Sequence, residues 1–179
     1  MNNSLFFNYA TALLDLCKEE NKDLMEIRNS IKFIMQIFKK ELSFARFFTY
    51  ANVTYEEKSD VIDKVFNGHD VILLNFLKLL ILKNRAFYIY EILKESVTRF
   101  DAYLNLETGI IYSATPLSIE NIEKIKNALE LKKNKRIELI NEIDKSLIGG
   151  FKIKLNSDIY DTSIKSKLEK MKMILKEGN

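Results

Sequence analysis

The chain has 179 residues, of which 47% are hydrophobic and 30% charged, and its formal net charge is +3. This composition is typical of a folded globular protein and excludes wholesale disorder, and so small a positive excess does not indicate a nucleic-acid-binding protein. Cys17 is the only cysteine, which excludes an intramolecular disulfide framework and a thiolate metal cluster. The first 20 residues lack a basic leader, and we expect neither a targeting peptide nor a membrane-spanning segment.

Six helices are predicted in the first 105 residues, because apolar side chains recur there at helical spacing. The predicted helices cover residues 4–20, 23–40, 42–50, 54–66, 70–83 and 86–106. The first helix has two adjacent apolar rows, so we expect it to be covered on two sides or to bind a partner. Thr54 and Glu57 form a capping-box pattern at the start of the fourth helix. Short loops between the segments favour an antiparallel bundle.

The fifth predicted helix, Asp70–Lys83, is the most apolar stretch of the chain. Between its charged ends only Asn75 and Lys78 are polar. The twelve residues 71–82 would extend roughly 18 Å, well short of the ~30 Å hydrocarbon core of a bilayer. We therefore expect a helix that other helices surround in water, begun by Asp70 as N-cap. Two interpretations remain open: a core helix covered on every side, or a helix with one open side that forms a groove for a partner.

Beyond Leu106 the pattern changes to a small α/β arrangement in the order β-α-β-β-α. A β-prone run at 110–114 precedes a helix that we expect Ser118 to cap. Residues 137–141 alternate weakly, and Phe151–Leu155 alternate strictly, as strands do. Asp161 or Thr162 is predicted to cap a last helix that contains Ile164, Leu168, Met171 and Ile174. The predicted fold is multi-domain, α plus α/β, with domains 1–105 and 106–179.

No set of residues in the sequence indicates catalysis, and we expect no catalytic, metal or cofactor site. His69 is the only histidine and follows Gly68 in a predicted loop. Gly149-Gly150 precedes a strand, whereas a phosphate-binding loop leads into a helix, so a turn with positive φ is the better interpretation. The basic run Lys132–Arg136 leaves one alternative function, a nucleic-acid-binding module; a small enzyme would need a polar pocket that the sequence does not indicate.

The C-terminal segment resembles a known family. Its clearest motif is Ile137-x-Leu139-x-x-x-Ile143-Asp144-x-x-Leu147-x-Gly149-Gly150-Phe151-x-Ile153-Lys154. Two segments that flank this motif also match the family: Ser113-Ala114-x-Pro116-Leu117-Ser118 and Asp161-x-Ser163-Ile164-x-x-x-Leu168. Three segments of the N-terminal half match as well: Tyr9-Ala10-x-Ala12-Leu13, Glu56-Glu57-Lys58, and residues 75–80 with Arg85. Together they resemble the delta subunit of F-type ATP synthases, called the oligomycin-sensitivity-conferring protein in mitochondria. Thr162 departs from the pattern, where the family often has glycine.

The resemblance implies a six-helix N-terminal domain, a small α/β C-terminal domain and a non-catalytic role in the peripheral stalk. It implies that a groove between the first and fifth helices receives an amphipathic N-terminal helix of an alpha subunit, and that the C-terminal domain meets the b subunits. Within that groove we predict Tyr9, Leu13, Leu16, Asn75, Lys78, Leu79 and Leu82. The structural motif residues would be Asp144, Gly149, Gly150 and Phe151. The implied location is peripheral, on the cytoplasmic face of the cell membrane, without membrane insertion, nucleic acid or cofactor.

Overall fold

The fold is mixed α/β, with helices in the first part of the chain and a four-stranded mixed sheet in the second. The computed structural model describes residues 2–156, 158–164 and 166–168. The chain divides into two units, Met1–Leu104 and Asn105–Asn179, each with its own hydrophobic core. We call them the helical unit and the sheet unit.

Each of the six segments predicted to be helical contains a helix. The helices of this unit are α1 (Asn2–Glu19), α2 (Leu24–Lys40), α3 (Leu42–Phe47), α4 (Tyr55–Val65), α5 (Val71–Leu82) and α6 (Ile89–Tyr103), with a 3-10 turn at Ala86–Tyr88 before α6. The predicted caps at Thr54 and Asp70 are confirmed. Thr54 accepts a hydrogen bond from the Glu57 amide and Glu57 accepts one from the Thr54 amide, while Asp70 accepts one from the Ile72 amide at 2.8 Å.

The core of the helical unit forms around α5. Six of its twelve residues are buried, and Leu73, Leu77 and Leu80 are completely enclosed. Burying a leucine side chain contributes roughly 1.5–3 kcal/mol, so these three residues are among the main apolar contributions to this core. An aromatic cluster of Phe38, Phe44, Phe48 and Phe66, with ring centroids 4.9–6.3 Å apart, fills one end of the same core.

A buried charge joins α2 to α6. Arg28 is 1% exposed, and its Nε donates a hydrogen bond to an Asp101 carboxylate oxygen at 2.5 Å. The guanidinium also donates to Asn29 Oδ1 at 3.3 Å. Because a buried cation without its counter-ion pays an uncompensated desolvation cost, Asp101 is essential to this packing.

Asp101→Ala is expected to lower the free energy of unfolding by about 3 kcal/mol, since it leaves Arg28 buried without its carboxylate. Urea denaturation followed by circular dichroism measures the change. Glu95→Ala is the matched control on the same helix, because it removes the partly exposed 2.9 Å pair of Glu95 with Arg99, which contributes about 0.5 kcal/mol. Equal losses in the two variants would contradict this account of Arg28.

The sheet unit contains β1 (Leu106–Ser113), α7 (Ile119–Lys133), β2 (Arg136–Ile143), β3 (Phe151–Leu155) and β4 (Asp158–Asp161), with strand order β2-β1-β3-β4. β1 and β2 are parallel, as expected for a crossover through α7, and the other two pairs are antiparallel. The Ser118 cap is confirmed by its hydrogen bond from the Asn121 amide. α7 packs through Ile122, Ile125 and Leu129 on the sheet face that carries Ile111, Ile153 and Leu155.

The predicted β-α-β-β-α order missed β4. The turn at Asn156 was predicted, but the two following apolar residues, Ile159 and Tyr160, were too short a run to indicate a strand. Pairing with β3 stabilises this segment, and that partner cannot be read from local sequence. Ile164 and Leu168 of the predicted last helix are helical, whereas Met171 and Ile174 lie outside the described residues.

The glycine pair forms a tight corner before β3. Gly150 has φ of +78°, as predicted from its position before a strand, and a Cβ there would lie 2.7 Å from the Thr162 carbonyl oxygen. Thr162 donates hydrogen bonds to the Phe151 carbonyl from its amide (3.0 Å) and its hydroxyl (2.8 Å), so threonine fits this turn. Asp144 begins the preceding turn, where its carboxylate accepts from the Ser146 amide at 2.9 Å.

Candidate functional site: the α1/α5 surface

One side of α5 is open to solvent. Val71, Leu79 and Leu82 are 66%, 41% and 54% exposed, and Asn75 is also exposed in the same row. These residues are separated by three or four positions, so they follow one stripe of the helix. The described residues of the chain therefore leave one side of α5 uncovered. Exposing three large aliphatic side chains in one stripe forfeits burial energy and is typical of a surface that binds a partner.

α1 lies beside this stripe and runs antiparallel to α5. The ring of Tyr9 on α1 contacts Phe76 of α5 edge-on, with centroids 6.2 Å apart. The guanidinium of Arg85, just beyond α5, lies 4.8 Å from the centre of the same ring. At the opposite end, Lys22, which follows α1, pairs with Asp70 at 2.9 Å. These contacts hold α1 against both ends of α5.

The edge of α1 that faces α5 carries a second apolar row. Successive residues of a helix are rotated by about 100°, so Leu5, Ala12 and Leu16 lie on the same side as Tyr9. Leu16 and Ala12 are exposed, and Leu5 and Tyr9 are half-buried. We define the α1/α5 surface as these two rows: Leu5, Tyr9, Ala12, Leu16, Val71, Asn75, Leu79 and Leu82.

Five of the seven residues predicted for the groove lie on this surface: Tyr9, Leu16, Asn75, Leu79 and Leu82. Leu13 is 1% exposed and belongs to the core, together with Ala10, Leu14 and Cys17 on the buried face of α1. Lys78 lies on the α4 side of α5, where its Nζ is 2.6 Å from a carboxylate oxygen of Asp63. Leu5, Ala12 and Val71 were not among the predicted residues, although their spacing from Tyr9 and Asn75 places them in the same two rows.

The Asp70–Lys22 pair closes one end of the α1/α5 surface. Partial burial raises the pKa of Asp70, but hydrogen bonds from Lys22 and the Ile72 amide outweigh it, so the pKa lies below its ordinary value. Asp70 therefore stays ionised at neutral pH and serves both as helix cap and as ion-pair partner. Burial raises the pKa of the nearby Cys17 thiol to about 11, the opposite of a reactive cysteine.

Asp70→Asn is expected to lower the free energy of unfolding by about 1 kcal/mol at pH 7, because asparagine keeps the cap but loses the ion pair. Since the folded-state pKa of Asp70 is lowered, its charge stabilises the fold above about pH 4 and ceases to do so as the pH falls further. Urea unfolding at pH 7 and pH 3 should show a smaller difference from wild type at pH 3 than at pH 7. An equal difference at the two pH values would contradict the assignment; the exposed Asp15→Asn change is the control.

The basic run that suggested nucleic-acid binding is engaged within its own unit. Lys133 pairs with Asp158, which raises the pKa of Lys133 and lowers that of Asp158 through their hydrogen bond. Lys132 Nζ lies 4.5 Å from the centre of the Tyr160 ring, and Lys135 lies 3.8 Å from Glu107. Lysine side chains that contact acidic and aromatic neighbours are less available to phosphates. The nucleic-acid-binding alternative, which depended on this basic run, therefore loses its main support.

The side chain of His69 packs and hydrogen-bonds within the helical unit. Its Nδ1 lies 2.9 Å from Ser30 Oγ, and its ring centroid is 5.4 Å from that of Phe33. This matches the predicted position in a loop beside a helix cap. Within residues 2–156, 158–164 and 166–168, no three histidine, cysteine, aspartate or glutamate side chains come together as metal ligands. In the same ranges, no helix has the length and apolar character that a membrane span requires.

The exposed apolar rows of the helical unit are typical of a surface that binds another protein. The comparisons identify the family. The family described as "ATP synthase delta (OSCP) subunit" matches residues 7–175. The chain therefore belongs to the ATP synthase delta (OSCP) subunit family, a component of the peripheral stalk of the ATP synthase.

Similar proteins match over most of their lengths. The ATP synthase subunit delta of Clostridium beijerinckii is 33% identical over 168 residues, 93% of each chain. That of Caldanaerobacter subterraneus subsp. tengcongensis is 32% identical over 161 residues, 90% of each chain. A chain in the structure of the Toxoplasma gondii mitochondrial ATP synthase hexamer has a TM-score of 0.65 at 21% identity, covering 96% of this chain and 97% of that one. The last likeness shows a shared fold.

Proposed function

We propose that this protein is a non-catalytic stator subunit that ties the catalytic head of a proton-translocating ATP synthase to its membrane-anchored b subunits. When proton flow turns the rotor, the head must not turn with it, so the connector needs static interfaces at two places. The observation that carries the proposal is the open α1/α5 surface, which the helical unit leaves unburied at a cost in its own stability. Membership of the delta family identifies the assembly as the ATP synthase.

In this proposal residues 1–105 form a six-helix antiparallel bundle that binds the N-terminal helix of an alpha subunit. An amphipathic helix that places its apolar face in a hydrophobic groove is a recognised binding mode. The exposed leucines Leu16, Leu79 and Leu82 would contact the apolar face of the partner helix, and Tyr9 would form one wall. Asn75 supplies a polar contact in the middle of the α5 row, and Lys78 lies at the α4 rim.

Residues 106–179 form the second attachment, a small α/β domain that meets the b subunits. Two separate units with separate cores suit a connector, because each can bind its own partner without rearranging the other. The protein would lie on the cytoplasmic face of the cell membrane as a peripheral subunit, held there by the b subunits. It would have no cofactor and no nucleic-acid partner.

Leu79→Asp and Leu16→Asp, made separately in the full chain, are expected to weaken binding of a synthetic alpha-subunit N-terminal peptide by at least about 30-fold, or 2 kcal/mol. A carboxylate in this surface would be desolvated by the bound helix, and one apolar anchor would be lost. Isothermal titration calorimetry measures the affinity. Leu13→Asp is unsuitable, because a charge at this buried position would destabilise the core.

Leu42→Asp is the matched control, since Leu42 is an exposed leucine on α3 and is not part of the α1/α5 surface. It should bind the peptide as tightly as wild type. If the Leu79 and Leu16 variants fold normally and keep wild-type affinity, or if Leu42→Asp weakens binding equally, the α1/α5 surface is not the binding site.

A further inference from the structure

A cavity of about 430 Å³ lies in the helical unit, between the end of α2, the short helix α3 and the 3-10 turn before α6. Its inner wall contains Phe38 and Ala86, which are 3% and 9% exposed, and the half-buried Ala45. The two alanines explain the open space, because a larger side chain at either position would fill part of it. Phe38 belongs to the aromatic cluster of the core, so this wall is firmly packed. The lining residues differ from those of the α1/α5 surface.

The outer wall of the cavity is formed by large side chains that solvent reaches. Leu42, Tyr50 and Phe87 are 62%, 50% and 78% exposed. The Tyr50 carbonyl accepts a hydrogen bond from Lys58 Nζ at 2.7 Å. The Phe87 ring packs edge-on against Tyr88, with centroids 5.4 Å apart. These contacts hold the wall in place before anything binds, and a ligand that covered Leu42 and Phe87 would recover burial energy that the free chain forgoes.

Arg46 of α3 brings a positive charge to this apolar lining. Among the described residues that line the cavity there is no aspartate or glutamate, and no carboxylate in the described ranges pairs with the Arg46 guanidinium. A guanidinium stays protonated throughout the pH range in which proteins fold, and its planar set of N–H groups can donate two parallel hydrogen bonds to a carboxylate. The cavity therefore combines an apolar volume with a cation that is available to an anion.

We propose that this cavity binds a small amphipathic carboxylate, whose apolar body lies against Phe38 and Phe87 and whose carboxylate pairs with Arg46. The cavity volume falls within the roughly 300–1,000 Å³ of small-molecule sites, and an apolar lining with a few placed polar groups is their usual pattern. The apolar body can be an alkyl chain, as in a fatty acid, or an aromatic ring, and the carboxylate is common to both. This site goes beyond the stator role and does not depend on it.

Isothermal titration calorimetry of the full chain with octanoate and with naphthoate tests the proposal and distinguishes the alkyl from the aromatic source of the carboxylate. We expect one molecule of at least one of the two to bind per chain. Octanamide and naphthamide keep the shape of these probes and lack the charge. They are expected to bind at least about tenfold more weakly, because the charge-assisted hydrogen bonds to Arg46 are lost.

Two variants test the lining. Arg46→Gln is expected to weaken carboxylate binding by about tenfold and to remove the preference for the carboxylate over the amide. Arg136→Gln is its matched control, an exposed arginine of the sheet unit, and should bind as wild type does. Ala45→Leu is expected to abolish binding, since the added side chain enters the cavity. Thermal unfolding followed by circular dichroism verifies that each variant is folded.

Leu42→Asp and Leu79→Asp separate this cavity from the α1/α5 surface. Leu42→Asp puts a like charge in the cavity lining, so it should lose the carboxylate ligand and still bind the alpha-subunit peptide. Leu79→Asp should show the reverse. Loss of the ligand in Leu79→Asp, with Leu42→Asp unaffected, would move the carboxylate site to the α1/α5 surface and overturn the proposal.

The remaining outcomes also decide the proposal. Binding of either carboxylate that falls in Arg46→Gln and Ala45→Leu and persists in Arg136→Gln supports it and identifies the ligand class. The proposal is overturned if the wild-type chain binds neither carboxylate at millimolar concentration, or if the amides bind as tightly as the carboxylates. It is equally overturned if the folded Arg46→Gln or Ala45→Leu variant keeps wild-type affinity.

Discussion

The helical unit depends on the burial of α5. A twelve-residue helix with two polar side chains is insoluble unless other helices cover most of its circumference, and here the buried leucines Leu73, Leu77 and Leu80 provide the centre against which the neighbouring helices pack. The coverage stops at the stripe of Val71, Leu79 and Leu82. The same composition that organises the core thus also creates the apolar part of the proposed binding surface.

The ends of α5 are fixed by specific polar contacts. Asp70 caps the first turn and pairs with Lys22, while Arg85 lies over the ring of Tyr9 beyond the last turn. These contacts hold α1 at a defined position beside α5, so the two exposed rows keep a constant separation. A preformed surface loses little conformational entropy when a helix binds to it. This property suits the proposed interface with the alpha subunit, which has to persist while the rotor turns.

The sheet unit has a different architecture, with one helix packed on a mixed sheet. Its crossover helix α7 covers the face of the sheet that carries Ile111, Ile153 and Leu155. The corner at Gly150 and the hydrogen bonds of Thr162 hold β3 and β4 in register.

The sequence by itself determined the local features of this protein. Apolar spacing predicted the helices, the side chains of Thr54, Asp70 and Ser118 predicted their starts, and strict alternation predicted β3, because each of these signals depends on neighbours within a few residues. The motif around Gly149-Gly150, with its flanking segments, carried the resemblance to the family, and the structure shows that a φ of +78° and a close backbone contact require glycine at Gly150.

Features that depend on distant neighbours needed the three-dimensional structure. It showed Leu13 in the core and Leu5 and Ala12 nearer the surface, because α1 is apolar over a wide arc and the sequence does not say where the covered part of that arc ends. It made β4 a strand through pairing with β3 and joined Arg28 to Asp101 across 73 positions. These relations arise from packing between elements, for which local periodicity carries no information.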